Sequence, residues 1–70
     1  MPFTPCYIIA AFDVYEEITR FRRDDGGFTY NPIKAHQYYI EEDAKLAMEL
    51  MDKLPKHHYF IIYVTAELLC

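Results

Sequence analysis

The chain reads as one α+β domain: a three-stranded, mainly antiparallel sheet with one long helix packed on one face, in the order ββαβ, and a short helical turn before the helix. Three observations predict this. Two runs, Cys6 to Asp13 and His57 to Thr65, are rich in β-branched and aromatic residues and are apolar on both parities. The stretch from Glu41 to Leu54 repeats apolar residues at helical spacing. Finally, 70 residues leave room for a single core, close to the lower limit at which a core holds without staples, so one domain spans 1–70.

The first run, Cys-Tyr-Ile-Ile-Ala-Ala-Phe-Asp, has the pattern of a central strand with neighbours on both sides. A hairpin around Val14 and Tyr15 leads into Glu16 to Arg23, where Glu16, Ile18, Arg20 and Arg22 share one parity and Glu17, Thr19, Phe21 and Arg23 the other. That alternation is expected of an edge strand guarded by charge. Asp24-Asp25-Gly26-Gly27 ends it, because tandem glycines accept positive φ and aspartates hydrogen-bond the local backbone.

Phe28 to Tyr30 reads as a turn, and Asn31 to His36 as a short helical piece with Asn31 as N-cap and Pro32 in the favoured first position. Ala35 and one of Tyr38 or Tyr39 are expected to face inward. In the long helix, Ala44, Ala47, Met48, Met51 and Leu54 form an apolar stripe flanked by Leu46 and Leu50, with Lys45, Glu49, Asp52 and Lys53 opposite. Glu41, Glu42 and Asp43 suit the positive end of the helix dipole and Lys53 and Lys56 the negative end. Glu41 with Lys45 and Glu49 with Lys53 have the favourable i,i+4 order, and Pro55 stops the helix. His57 to Thr65 is then an internal strand or one paired across an interface, followed by Ala66 to Cys70 as a tail or helical extension.

Composition narrows the function. An apolar fraction of 53%, with seven Tyr and five Phe, excludes a disordered chain and leaves more large side chains than so small a core can cover, so exposed contact patches are expected. One helix shields one face of the sheet; the other is expected to show Tyr7, Tyr59 and Tyr63 or their opposite-parity neighbours, residue types enriched where proteins meet. The net charge of −4 disfavours direct nucleic-acid binding, which relies on Lys and Arg displacing counterions, and favours a basic protein partner. The apolar run from Cys6 to Phe12 is too short for a bilayer span or a signal peptide, so cytoplasmic residence without membrane association is expected. Cys6 and Cys70 lack the spacing of a disulfide framework or zinc site.

From Tyr7 to Glu67 the residue pattern resembles one found in small proteins of bacteriophages and their hosts. The residues that carry the likeness are Tyr7-Ile8-Ile9 before a charged hairpin strand, the Gly27-Phe28 step, Asn-Pro-x-x-Ala at Asn31 to Ala35, an aromatic at Tyr38 or Tyr39, and the Glu-Asp-Ala helix start at Glu42 to Ala44. The Arg20-Phe21-Arg22-Arg23 cluster and the double histidine depart from it. The resemblance implies a mobile-element protein that acts by occluding a host enzyme or nucleoprotein complex, as anti-CRISPR and other anti-defence inhibitors do.

No catalytic or cofactor-binding set is recognisable, so an enzyme is not expected. His57 and His58 are the nearest approach to a metal pair, with His36 and Cys6 as further ligands, but adjacent strand residues point to opposite faces. Cys6 or Cys70 beside a histidine lacks an oxyanion element and an orienting third group. Asp24-Asp25 and Glu41-Glu42-Asp43 offer an acidic surface for a basic cleft, although helix-start acids also have a purely structural use. The residues expected to meet a partner are Tyr7, Phe21, Arg22, Arg23, Asp24, Asp25, Tyr38, Tyr39, Glu41, Glu42, Tyr59 and Tyr63. The alternative is a small nucleic-acid-binding module using Arg20, Phe21, Arg22, Arg23 and Lys34. A homodimer that pairs tyrosine-rich faces or final strands is a further expectation, because small cores gain burial by association.

Overall fold

The computed structural model describes residues 4–65; the expected tail or helical extension from Ala66 to Cys70 lies outside them. The order of elements is β1 (Cys6–Asp13), β2 (Ile18–Arg22), β3 (Phe28–Thr29), a 3-10 turn (Pro32–Lys34), α1 (Glu41–Leu50) and β4 (His57–Val64). The fold is thus α+β with one helix, and its antiparallel sheet has four strands in the order β3-β2-β1-β4.

β1 occupies the middle, as its apolar character on both parities requires. It pairs β2 from Ala10↔Phe21 to Asp13↔Ile18 and β4 from Cys6↔Val64 to Asp13↔His57. Beyond the end of β2 its other flank is taken by Tyr38, which exchanges backbone hydrogen bonds of 2.6 and 2.8 Å with Tyr7. Ile8, Ile9, Ala10 and Ala11 are all at most 1% exposed, which makes β1 the core. On one face Ala35 packs with Cys6, Ile8 and Val64, joined by Phe21 and Ile62. α1 lies over the other, touching β1 and β4, and places Ala44 fully out of solvent.

Three expectations need correction. The sheet has a fourth strand, because Phe28 and Thr29 continue past the turn to pair with Arg22 and Phe21. That turn is closed by Asp25, whose Oδ1 accepts the Gly27 N–H at 2.8 Å, and by Gly26 at φ +90°, a conformation costly for a residue with a Cβ. β2 is consequently interior and not an edge. Of the two places expected for β4, internal or paired across an interface, the interior is excluded: it is the edge on the opposite side. The helix ends at Leu50 and not Leu54. Pro55 biases its predecessor away from the α region, and the chain from Met51 must run extended to reach the start of β4. Lys53 therefore pairs not with the Glu49 carboxylate but with the Glu49 backbone carbonyl, 3.4 Å away, one of the carbonyls a helix end leaves without a partner.

Other details follow the local rules. Asn31 caps the 3-10 turn by accepting the Ile33 N–H at 3.0 Å, with Pro32 at its start. Glu41 and Lys45 form the expected i,i+4 ion pair at 2.9 Å. Replacing Ile9 by Ala opens a cavity in the middle of β1 and is expected to lower stability by about 2–5 kcal/mol, measured by urea unfolding; a loss below about 1 kcal/mol would contradict the central place of β1.

Candidate functional site

Cross-strand partners share a face, so Tyr38, Tyr7 and Tyr63 form a row across the sheet. The Tyr7 and Tyr63 rings meet at 4.9 Å between centroids, and His36 stacks on Tyr38 at 4.2 Å. This row lies on the helix side: Tyr7, Ile61 and Tyr63 form a small hollow with Glu41 and Lys45, and the Tyr59 hydroxyl accepts the Leu54 N–H at 2.8 Å. The tyrosines expected on the uncovered face are therefore under or beside α1. Their opposite-parity neighbours Phe12, Phe21, Phe60 and Ile62 occupy the other face, where Phe60 remains exposed.

On the flank of α1 away from β4, the chain from His36 to Ile40 and the helix residues Asp43, Leu46, Ala47 and Leu50 border an open groove. The cause is helical spacing. With Ala44 turned to the sheet, residues 46 and 50 stand well around the helix from it. Tyr39 and Ile40 are each 59% exposed, Leu46 55% and Leu50 76%. Four large apolar side chains bordering one groove form a patch rather than scattered surface residues. The patch carries acid at its rim: Glu41, Glu42 and Asp43 occupy the first turn of α1, where they also offset the helix dipole. The Tyr39 hydroxyl donates to Gln37 Oε1 at 2.9 Å.

The residues singled out from the sequence do not converge on one surface. Tyr7, Tyr38, Tyr39, Glu41, Glu42, Tyr59 and Tyr63 cluster around α1, with Tyr38 half-buried and Tyr39 turned out. Phe21 is half-buried against the core on the far face. Arg22 is half-buried, with its carbonyl accepting the His36 N–H. Arg23 pairs with Asp25 at 2.9 Å in the β2–β3 turn, beside exposed Asp24. Arg20 and Arg22 face the helix side and Phe21 the other, so the aromatic is separated from the two arginines that flank it.

A polar cluster that the sequence did not reveal closes the opposite end of the sheet. Asp13 and His57 are cross-strand partners, and Arg20 reaches both, its Nη2 lying 3.3 Å from Asp13 Oδ2 and 3.2 Å from His57 Nε2. Asp13 Oδ1 accepts the N–H groups of Tyr15 and Glu16 at 2.9 and 3.2 Å, which shapes the hairpin. His57 Nδ1 donates to the Pro55 carbonyl at 2.9 Å, which leaves Nε2 as the acceptor for Arg20 in the neutral ring. The Glu16 N–H foremost, then the Tyr15 N–H, His57 and Arg20, hold the Asp13 carboxyl below the usual carboxylate range despite its burial. The only advance signal was an acid at the end of a strand; its partners depend on register. Among the described residues no nucleophile joins this cluster. His57 and His58 point to opposite faces, and among the described residues no three His, Cys, Asp or Glu side chains converge as metal ligands. Cys6 is buried, and burial pushes its thiol pKa up.

Two measurements check these assignments. Asp13 is depressed in the folded state, so its stabilising effect is complete above the ordinary carboxylate pKa of about 3.9 and declines as pH falls through the lowered folded value. Asp13→Asn is expected to lower Tm at neutral pH and to flatten this acid limb; an unchanged acid limb would refute the role of the cluster. With Cys70 replaced by Ser, the Cys6 thiol is expected to react with a disulfide reagent far more slowly in the native protein than in urea; equal rates would show that Cys6 is accessible.

Comparison with protein-family models, curated proteins and solved structures gives no match to this chain, so its own surface chemistry carries the functional reading.

Proposed function

We propose that the protein is a non-enzymatic binding protein that receives a basic, apolar segment of another protein in the groove between α1 and residues 36–40. The observation that carries this reading is the contiguous exposure of Tyr39, Ile40, Leu46 and Leu50. Charge supports the partner class. From Glu41 to Leu54 five carboxylates face two lysines, within a chain of net charge −4, so a partner with Lys or Arg beside its apolar anchors gains attraction and a faster encounter. The likeness to small phage-type proteins favours a host protein or nucleoprotein complex as the target and occlusion as the mode of action. Direct nucleic-acid binding is the weaker reading, since Arg20 and Arg23 are already engaged by Asp13 and Asp25.

The test uses a fluorescent amphipathic peptide of Leu and Lys, with an acidic peptide of the same apolar pattern as control. The basic peptide is expected to bind and to weaken with salt. The double variant Leu46→Asp, Leu50→Asp is expected to lose at least about 30-fold in affinity, as for residues that anchor an interface. Its fold should be undisturbed, because both side chains are exposed. Equal binding by wild type and variant, or preference for the acidic peptide, would overturn the proposal.

A further inference from the structure

We propose that β4 is the seam of a two-fold dimer, in which a second copy of this chain adds its own β4 antiparallel to the first and joins the two sheets into one. Tyr7 exchanges both backbone hydrogen bonds with Tyr38, on the flank away from β4. Peptide groups alternate in direction along a strand, so the odd residues of β1 turn away from β4 and the even residues turn toward it. The bond from Val14 N–H to the Lys56 carbonyl, 3.1 Å, continues that ladder. Through the register Cys6↔Val64 to Phe12↔His58, His58, Phe60, Ile62 and Val64 direct their N–H and C=O groups to β1. Tyr59, Ile61 and Tyr63 direct theirs outward, where no described strand lies.

Among the described residues this edge lacks the usual protection. Edge strands are commonly kept short or carry charge or proline against pairing with another chain. The opposite edge, β3, is two residues long and is followed by Pro32. β4 is eight residues long, and from His57 to Thr65 it contains no Asp, Glu, Lys, Arg or Pro.

Symmetry then selects the partner and the register. A two-fold axis normal to the sheet pairs residues whose numbers have a constant sum, and partners must share a face and both present outward peptide groups. His57 is held by Arg20 and Pro55, and Lys56 at φ +60° breaks the extended run; the ladder therefore begins at His58 and is centred on Ile61. Ile61 meets Ile61 of the second copy, Tyr59 meets Tyr63, and Phe60 meets Ile62, with about six backbone hydrogen bonds.

The helices fit the same operation. The first turn of α1 lies near Tyr63, where Glu41 and Lys45 border the hollow, and the chain beyond its end lies near Tyr59. Bringing Tyr59 beside the second copy's Tyr63 sets the acidic first turn of one helix near the Lys53 end of the other, with antiparallel dipoles. A helix seated over both β1 and β4, with strands about 4.8 Å apart, comes to lie roughly 10 Å from its symmetry mate, the separation of packed helices.

Sedimentation equilibrium and amide hydrogen exchange test this together. The wild type is expected to sediment as a dimer at tens of micromolar, with the Tyr59, Ile61 and Tyr63 amides protected there and exposed on dilution. Ile61→Pro removes an outward N–H that β1 does not use and is expected to give a folded monomer; Phe60→Lys, at an exposed side chain, provides the same readout should the proline variant fail to fold. The groove variant Leu46→Asp, Leu50→Asp is expected to remain dimeric. A monomeric wild type, edge amides protected in a monomer, a dimer that survives the β4 changes, or one lost in the groove variant would each overturn the proposal.

Discussion

The burial of β1 on both faces and along both flanks is the constraint from which the rest follows. A strand with neighbours on each side accepts small residues where larger ones lean in, and Ala10 and Ala11 meet that condition. Ala10 stands in register between Phe21 and Phe60, and Ala11 between Arg20 and Tyr59. The fully buried bulk of the core thus comes from β1 itself, where Ile8 and Ile9 fill the two faces, and the flanking strands add half-buried Phe21 and Tyr59 beside the alanines. So narrow a core leaves little apolar surface to hold a helix, and α1 buries only Ala44 completely.

That shallow seating determines where the exposed chemistry lies. A helix anchored through one alanine approaches the sheet closely and turns Leu46 and Leu50 outward rather than beneath it. On one flank these residues, with Tyr39 and Ile40, make the acid-rimmed groove. On the other flank lies the outer edge of β4, with no described strand beyond it. The two surfaces are separated by the helix itself, so the proposed partner and the proposed second copy would meet different residues. The distal end of the sheet has a different character. There Asp13, Arg20 and His57 satisfy one another and the hairpin backbone, and so close a strand end that would otherwise leave polar groups buried without partners.

Much of the architecture was legible in local pattern. The central strand, the glycine turn, the Asn31 cap and the start of the helix with its Glu41–Lys45 pair all depend on residues within a few positions of one another. The misread features depend on partners far along the chain. Phe28 and Thr29 are too few to show alternation, yet they convert β2 from an edge into an interior strand. The helix stripe continues in the sequence to Leu54, but the return path to β4 ends the helix at Leu50. The groove shows the same division: Tyr39 is expected from the sequence to meet a partner, whereas its association with Leu46 and Leu50 follows from the angle at which Ala44 seats the helix.

By itself the sequence determined the class of the fold, the identity of its core strand and an acidic, aromatic-rich surface, because periodicity, turn chemistry and charge are properties of neighbouring residues. Only the tertiary structure decided that β4 lies at the edge, that the tyrosines share a side with α1, and that Asp13 meets Arg20 and His57. Strand order and register arise from pairings between distant segments, and a strand apolar on both parities is compatible with either the middle or the rim of a sheet until its neighbours are placed.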